Sequence, residues 1–113
     1  MLKKQLRFHG HGSLKYVYKN AQVRRGRYVT VRMIENPRRK HSRFAVVISK
    51  KVHKSAVGRN RIRRRVYEIL RSQLPVFVQP TDVAVIVTSG EALMAPSIEL
   101  SQDIIRSLGS KNT

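Results

Sequence analysis

Apolar residues recur along this chain with two different periods, and the shorter period predicts three strands. Residues 27–34 alternate polar and apolar side chains, which places Val29 and Val31 on one face of a half-buried strand. Residues 43–49 and 82–88 are almost continuously apolar, as is typical of strands that are buried on both sides. We predict that 43–49 pairs antiparallel with 27–34, and that 82–88 lies parallel to a strand already in the sheet.

The longer period, close to that of an α-helix, predicts three helices. Residues 14–21 and 97–108 are each amphipathic, and residues 59–74 carry their apolar side chains on one side only. Because the segment at 59–74 lies between two strands, we predict that it is the crossover helix of a βαβ unit. The apolar residues predicted to enter the core are Ile62, Val66, Ile69 and Leu70 in the middle helix, and Ile98, Ile104, Ile105 and Leu108 in the last helix.

These elements define a single α+β domain at residues 1–113, a two-layer α/β sandwich with a mixed sheet. A chain of 113 residues is long enough for one modest core and too short for two. Residues 1–12 are basic and punctuated by glycine, so we expect a flexible arm there, and we expect a disordered tail at 110–113.

Several classes of protein are disfavoured by the composition. No segment approaches the roughly 20 apolar residues that span a bilayer, and residues 1–7 lack the apolar stretch of a secretory signal. The chain has no cysteine, so it has neither a disulfide framework nor a thiolate metal site. We therefore expect a cytoplasmic protein without a membrane partner.

Charge is the most unevenly distributed property of the chain. The formal net charge is +18, and residues 1–71 hold 22 of the 24 Lys and Arg residues but only two acids. Between Arg38 and Arg65 there are twelve basic residues and no acidic residue. Clustered like charges repel one another and do not help folding, so such a cluster usually serves to bind a polyanionic partner. A nucleic acid is the natural match, because neutralised phosphates release condensed counterions. Nothing indicates a small-molecule substrate.

The helix predicted at 59–74 concentrates this charge on one side. Solvated helices normally interleave acidic and basic residues at four-residue spacing, whereas six arginines between Arg59 and Arg71 accompany one acid, Glu68. On a helical wheel, Arg59 and Arg63 lie nearer the apolar sector than the other arginines do. Guanidinium groups suit forked contacts with phosphates and stacking on bases. The residues predicted to face outward are Arg61, Arg64, Arg65 and Arg71, with Asn60 at the border.

The acidic residues and histidines argue against a reaction catalysed by the protein itself. A metal-dependent nuclease needs clustered carboxylates to hold divalent ions, but the six acids are scattered and lie mostly outside the basic region. His9 and His11 are too few for a zinc site without a nearby carboxylate or cysteine. We therefore expect no catalytic residue and no intrinsic metal site.

Two neighbouring motifs resemble those of a known family. Ser49-Lys50-Lys51 is followed, after a short spacer, by the sequence AVGRNRIRR at residues 56–64. This combination resembles the signature of the bacterial ribonuclease P protein subunit, and the order of elements is similar over nearly the whole chain. The resemblance implies a fold like the second domain of ribosomal protein S5. It also implies an unusual left-handed βαβ crossover, which general handedness statistics would not predict.

The resemblance also implies a function for these residues. In that family the protein is an accessory subunit, and the catalytic RNA removes the 5′ leader of precursor tRNA with Mg²⁺ held mainly by RNA and phosphates. The leader cleft would map onto Leu14 and Tyr18 of the first helix and Val29 and Val31 of the first strand, although the family usually has aromatic residues in place of Leu14 and Val31. The residues that match the RNA-binding motif are Lys50, Lys51, Arg59, Asn60, Arg61, Arg63 and Arg64, to which the helical wheel adds Arg65.

Two other functions are compatible with the same residues. A ribosomal-type structural RNA-binding protein would have similar charge and a similar fold, and it would co-purify with ribosomal RNA. A free-standing nuclease would cleave precursor tRNA without an RNA cofactor, which the scattered acids disfavour.

Overall fold

The computed structural model of the protein describes residues 21–36, 40–72 and 80–109. The arm predicted at 1–12, the tail predicted at 110–113 and nearly all of the helix predicted at 14–21 lie outside the described residues, so they stay predictions. Within the described part of the chain, no helix has both the length and the apolar character needed to cross a membrane.

Four strands form one mixed sheet. The strands are β1 Gln22–Arg25, β2 Val29–Glu35, β3 Arg43–Ile48 and β4 Thr81–Val87. Their spatial order is β1-β2-β4-β3, with β4 antiparallel to β2 and parallel to β3. The parallel pairing of β4 confirms the prediction, but the predicted antiparallel pair of β2 and β3 is wrong, because β4 lies between them. β1 was not predicted, since three of its four residues are polar.

Two helices pack on one face of this sheet, here called the inner face. Helix α1, Ala56–Ser72, connects β3 to β4 as predicted, and helix α2, Ser97–Gly109, follows β4 after a short 3₁₀ helix at Gly90–Leu93. Alternate residues of each strand point to the inner face, and these residues are the apolar ones. The buried core between this face and the helices contains Val29, Val31, Met33, Phe44, Val46, Ile48, Ile62, Val66, Tyr67, Leu70, Val83, Val85, Val87, Leu100, Ile104 and Leu108.

The opposite face of the sheet, here called the outer face, carries a smaller apolar cluster. Ala45 of β3 and Ala84 of β4 are buried there, and Ile34 and Ile86 pack against them. Thr30 and Arg32 of β2 alternate with the inner valines and therefore also lie on this face. The described part of the outer face is thus less apolar than the inner face and carries positive charge.

Helix α2 buries a narrower stripe than its sequence indicates. Leu100, Ile104 and Leu108 enter the core at four-residue spacing, so Ile104 and Leu108 confirm the prediction. Ile98 and Ile105 were also predicted to be core residues, which is wrong, because they are 67% and 39% exposed. They lie on the flanks of the stripe, and a single helix resting on a sheet buries one side only.

The carboxylate of Asp103 ties α2 to the start of β2. One oxygen accepts the backbone N–H of Arg27 at 2.7 Å, and the other accepts those of Tyr28 and Val29 at 2.8 and 3.3 Å. The amides of Arg27 and Tyr28 are thus taken up by Asp103, and β2 begins after them, at Val29, whereas the strand was predicted to begin at Arg27. Tyr28 is buried with the inner core, whereas the alternating pattern placed it on the other face with Thr30.

Candidate nucleic-acid interface

The strand register brings three loops to one end of the sheet, here called the loop end. Val87 at the end of β4 lies opposite both Val29 at the start of β2 and Ile48 at the end of β3. The backbone N–H of Thr88 donates to the carbonyl of Tyr28 at 2.9 Å, which joins two of the loops directly. The chain leaves β3 at this end, so the Ser49-Lys50-Lys51 motif and the first turn of α1 also lie here.

The first turn of α1 is closed by a local capping arrangement. The hydroxyl oxygen of Ser55 accepts the N–H of Gly58 at 3.2 Å, as an N-cap residue does. The N–H of Ser55 in turn donates to Nδ1 of His53 at 3.2 Å. The imidazole of His53 lies against the Cα of Gly58 and leaves no room for a Cβ there. The ring of His53 is thus packed on the helix and fixes the preceding turn.

Arg59, in the middle of the recognised motif, holds the same turn from the other side. Its guanidinium donates to the carbonyl oxygens of His53 at 2.9 Å and Lys54 at 2.8 Å. Arg63 donates to the side-chain oxygen of Asn60 at 2.7 Å, one turn away on the helix. Arg59 and Arg63 are therefore half-buried, as the helical wheel indicated, and part of their hydrogen-bonding capacity organises the motif itself.

The remaining motif residues lie in the loop after β3 and in the first half of α1, and they are here called the basic ridge. Its members Lys50, Lys51, Asn60, Arg61 and Arg64 are all exposed. No acidic residue occurs between Asn36 and Tyr67. The only acid on α1 is Glu68, which lies 2.7 Å from Arg71. The hydrogen bond from Arg71, helped by its charge, lowers the pKa of Glu68, and that of Arg71 is raised in return. The ridge itself is left without a neutralising acid among the described residues.

Arg65 does not belong to the basic ridge, which corrects the prediction that it faces outward. One nitrogen of its guanidinium donates to the carbonyl oxygens of Ala92 at 2.7 Å and Leu93 at 2.9 Å. The other donates to the carbonyl of Ala95 at 2.5 Å and lies 3.4 Å from the hydroxyl of Ser97. Arg65 thus joins α1 to the connection before α2. A wheel drawn for one helix cannot show this, because the acceptors come from about 30 residues further along the chain.

The leader cleft inferred from the family resemblance is only partly described. Leu14 and Tyr18 lie outside the described residues. Val29 and Val31 are fully buried on the inner face, at 0% exposure, so the prediction that they line an open cleft is wrong. The residues of β2 that point the other way are Thr30, Arg32 and Ile34. The alternating sequence of the strand could have predicted that Val29 and Val31 do not line a cleft, because a residue buried in the core cannot also face a ligand.

The two buried carboxylates are already occupied by protein groups. Asp82 receives two hydrogen bonds of 2.9 Å from Arg43 and one of 3.2 Å from Asn36. Asp103 is saturated by backbone amides, as described above. In the described part of the chain, no three His, Asp or Glu side chains come together as metal ligands would. The described carboxylates therefore do not form a site that would hold Mg²⁺.

The fold and the ridge together define a class of protein, a small α+β protein with a mixed sheet and a basic crossover helix whose single acid, Glu68, lies away from the ridge. Comparison with known families identifies the particular one. The family model described as "Ribonuclease P" matches residues 2–111, so the chain belongs to the ribonuclease P protein family.

Individual relatives agree with this family. The chain is 43% identical over 84 residues to a ribonuclease P protein component of Thermus brockianus, an alignment that covers 74% of this chain and 47% of the relative. It is 32% identical to the ribonuclease P protein component of Pseudanabaena sp. (strain PCC 6903), covering 79% of this chain and 77% of that protein. The chain thus spans about half the length of the Thermus relatives that it matches.

Solved structures show the same fold. The RNase P protein of Staphylococcus aureus superposes with a TM-score of 0.80 at 22% identity, and 94% of each chain is covered. The RNase P protein of Thermotoga maritima superposes with a TM-score of 0.77 at 20% identity, covering 88% of this chain and 92% of that one. The described part of the chain, a four-stranded mixed sheet with two helices, therefore has the fold of these RNase P proteins.

Proposed function

We propose that this chain is the protein subunit of a cytoplasmic ribonuclease P that binds the catalytic RNA and the 5′ leader of precursor tRNA. The RNA subunit performs the hydrolysis that produces the mature tRNA 5′ end, with Mg²⁺ held by RNA and phosphates. The chain supplies no step of that chemistry. Its role is to bind both RNAs and to reduce the repulsion between their backbones.

The observation that carries this proposal is the exposed, acid-free basic ridge in a member of this family. Each phosphate neutralised by Lys or Arg releases condensed counterions, which favours association at low salt. Arg61 and Arg64 present forked guanidinium groups that match two phosphate oxygens at once. Lys50 and Lys51 add flexible charges from the neighbouring loop. The ridge thus combines charge with donor geometry suited to a folded RNA.

The half-buried members of the motif support the same function by organising the ridge. Arg59 holds the carbonyls of His53 and Lys54, so the turn that carries Lys50 and Lys51 is fixed before RNA arrives. Arg63 likewise orients Asn60. Groups that are already ordered lose less conformational entropy on binding, which raises affinity without adding contacts.

The leader is assigned to the outer face of the sheet. Both helices cover the inner face, whereas Thr30 and Arg32 of β2 lie on the outer one. Arg32 can contact a leader phosphate there, and Ile34 and Ile86 provide an apolar floor against which a base can lie. The roles of Leu14 and Tyr18 in this cleft stay predictions from the family resemblance.

A cleavage assay with precursor tRNA tests the proposal. Its readout is cleavage by the cognate RNA subunit at low Mg²⁺, with and without the chain. The double variant Arg61→Ala/Arg64→Ala should lose most of the stimulation, because two phosphate contacts disappear. The control Lys40→Ala/Arg71→Ala removes the same charge at the other end of the sheet, where Arg71 is held by Glu68. This control variant should retain most of the stimulation.

Equal stimulation by both double variants would show that only total charge matters and would count against the ridge. Absence of any stimulation by the wild-type chain, combined with co-purification of ribosomal RNA, would favour a ribosomal-type RNA-binding protein. Cleavage without the RNA subunit would contradict the assignment of the chemistry to RNA.

A further inference from the structure

A second basic surface lies outside the motif, where the β1–β2 turn meets helix α2. A hollow of about 420 Å³ opens there, and three of its lining residues, Arg24, Arg25 and Arg27, come from the turn and its flanks. Arg106 lines it from the last turn of α2. We call these four arginines the hairpin surface. They come from two parts of the chain that are about 80 residues apart, so the fold itself creates the cluster.

The turn that presents these arginines is rigidly built. Within the turn, the backbone N–H of Gly26 donates to the carbonyl of Val29 at 2.7 Å. The carboxylate of Asp103 lies so close to Gly26 that an added Cβ would stand 2.6 Å from its oxygen. The same carboxylate holds the amides of Arg27 and the two residues after it. A side chain at this position would therefore displace the carboxylate that holds the turn.

The acids of this region are committed to other partners. Asp103 also lines the hollow, but it is buried and its carboxylate accepts the three backbone amides of the turn. Glu99 accepts the hydroxyl of Tyr28 at 3.0 Å and lies 3.6 Å from Arg27. Arg25 and Arg106 are exposed, and among the described residues neither has an acidic group within 4 Å. Two open guanidinium groups therefore flank the hollow.

The hairpin surface is separate from the basic ridge. β1 forms one edge of the sheet, whereas α1 contacts β3 at the other edge. Three strand spacings separate the two edges, which corresponds to about 14 Å. Both surfaces nevertheless face the loop end, because the β1–β2 turn and the start of α1 lie at the same end of the strands. An RNA on the ridge cannot reach Arg25 and Arg106 with the same phosphates.

We propose that the hairpin surface binds the phosphate backbone of a second RNA segment, so that the chain bridges two parts of its RNA partner. Planar guanidinium groups on both sides of a hollow match the non-bridging oxygens of phosphates. A partner bound at both edges of one rigid sheet is held at a fixed spacing, which a single basic helix cannot achieve. This inference rests on the proposed function only in taking RNA as the partner.

The salt dependence of RNA binding tests the hairpin surface. The variants are Arg25→Ala/Arg106→Ala and the equal-charge control Lys40→Ala/Arg71→Ala, each measured with labelled RNase P RNA and with an unrelated structured RNA of the same length. Affinity falls as salt rises, so the slope of log affinity against log salt is negative. Loss of two phosphate contacts should make this slope less steep by about 1.4 on RNase P RNA, at about 0.7 for each contact. The control should change the slope much less. Equal slopes for the two double variants would overturn the proposal.

The two proposals fail separately in this design. If the wild-type chain binds both RNAs equally well, the proposed function is contradicted, while the difference in slope between the two variants still decides whether the hairpin surface binds phosphate. If RNase P RNA is preferred but Arg25→Ala/Arg106→Ala behaves like the control, only the hairpin surface is contradicted.

Crosslinking from single cysteines tests whether a different RNA segment is bound. The chain has no cysteine, so Gln102→Cys, beside the hairpin surface, and Lys54→Cys, beside the ridge, each provide a unique attachment point for a photo-crosslinker. The two variants should crosslink to separate stretches of RNase P RNA. Crosslinks from Lys54→Cys alone, or identical crosslinks from both positions, would be incompatible with a second bound segment.

Discussion

Arg64 and Arg65 are neighbours in the sequence, yet their side chains have opposite surroundings. Arg64 is exposed on the basic ridge, whereas Arg65 makes hydrogen bonds to three carbonyl oxygens and approaches one hydroxyl of the connection before α2. Those carbonyls belong to the 3₁₀ helix Gly90–Leu93 and the residues after it, which would otherwise have to satisfy their acceptors with water. One arginine is therefore available to a partner and the other stabilises the fold.

We expect alanine substitutions at these two positions to separate stability from RNA binding. Arg65→Ala should lower the free energy of unfolding by about 1–3 kcal/mol, because buried acceptors lose their donor. Arg64→Ala should leave it nearly unchanged and should weaken RNA binding several-fold. Urea unfolding and RNA-binding titrations measure the two effects. A larger loss of stability for Arg64→Ala than for Arg65→Ala would contradict this division of roles.

Ionisation of Tyr28 makes the stability of the folded protein depend on pH in the alkaline range. Burial raises the pKa of its hydroxyl, and the hydrogen bond to Glu99 raises it further. A pKa that is higher in the folded state favours the folded protein while the hydroxyl is neutral. This contribution is fully present below the unfolded pKa of about 10 and is lost as the pH rises through the folded value.

The expected result is a steeper loss of stability above about pH 10 for wild type than for Tyr28→Phe, which cannot ionise at this position. Urea unfolding across that range, taken as the difference between the two proteins, removes the common contribution of lysine titration. Parallel curves would show that Tyr28 titrates alike in the folded and unfolded states.

Single residues also show how far sequence reasoning reaches. Alternation correctly placed Val29 and Val31 on a buried face, but the family resemblance assigned the same residues to an open cleft, and both cannot hold. Asp103 could not have been found as an anchor, because its three amide partners lie more than 70 residues away. Periodicity reports which side of an element is buried, and it carries no information about what covers that side.

At the scale of elements, the start of α1 depends on an unusual pair. Gly58 is buried within the helix, where glycine normally costs about 1 kcal/mol relative to alanine. The imidazole of His53 occupies the space that a Cβ would need, and its Nδ1 accepts the N–H of Ser55. The lower helix propensity of glycine is thus offset by a packed turn that positions Lys50 and Lys51.

A double-mutant cycle on this pair has a definite expected outcome. In the wild-type background, Gly58→Ala should displace the His53 ring, bring little or no gain in stability and weaken RNA binding. In a His53→Ala background, the same substitution should raise the free energy of unfolding by about 0.5–1 kcal/mol, because the clash is gone and the helix propensity remains. Identical effects in the two backgrounds, measured by urea unfolding, would show that His53 and Gly58 are not coupled.

The prediction of elements from sequence succeeded for the long periodic segments and failed on their neighbours. The crossover helix and the parallel strand were predicted correctly because their patterns are long and the βαβ rule constrains them. We predicted that β2 pairs with β3 because two apolar strands close in sequence usually pair. The prediction was wrong because β4 lies between them, and no local pattern shows that a later strand will be inserted. The same limit applies to Ile98 and Ile105, since the width of a buried stripe is set by the surface that it meets.

On the scale of the whole molecule, self-repulsion opposes folding in the absence of a partner. The net charge of +18 arises in residues 1–71, which hold 22 basic and two acidic residues, whereas the rest of the chain is slightly acidic. We expect the midpoint of thermal unfolding to rise as KCl is increased from about 10 to about 200 mM, because the screening length falls several-fold over that range. A quadruple variant should show a smaller rise, since it carries four fewer charges; its substitutions are Arg25→Ala, Lys40→Ala, Arg71→Ala and Arg106→Ala. A midpoint that does not respond to KCl in wild type would contradict this view.

The position of β4 has a consequence for how the protein is made. β4 is the last strand along the described chain and one of the two inner strands of the sheet, so β2 and β3 have no shared neighbour until residues 81–87 have left the ribosome. Until then only the β1–β2 hairpin can pair, and an isolated hairpin is marginally stable at best in water. The sheet therefore cannot be completed until β4 has been synthesised. A nascent chain halted before residue 81 would emerge as a strongly cationic, unpaired polypeptide that depends on chaperones or on cellular polyanions to stay in solution.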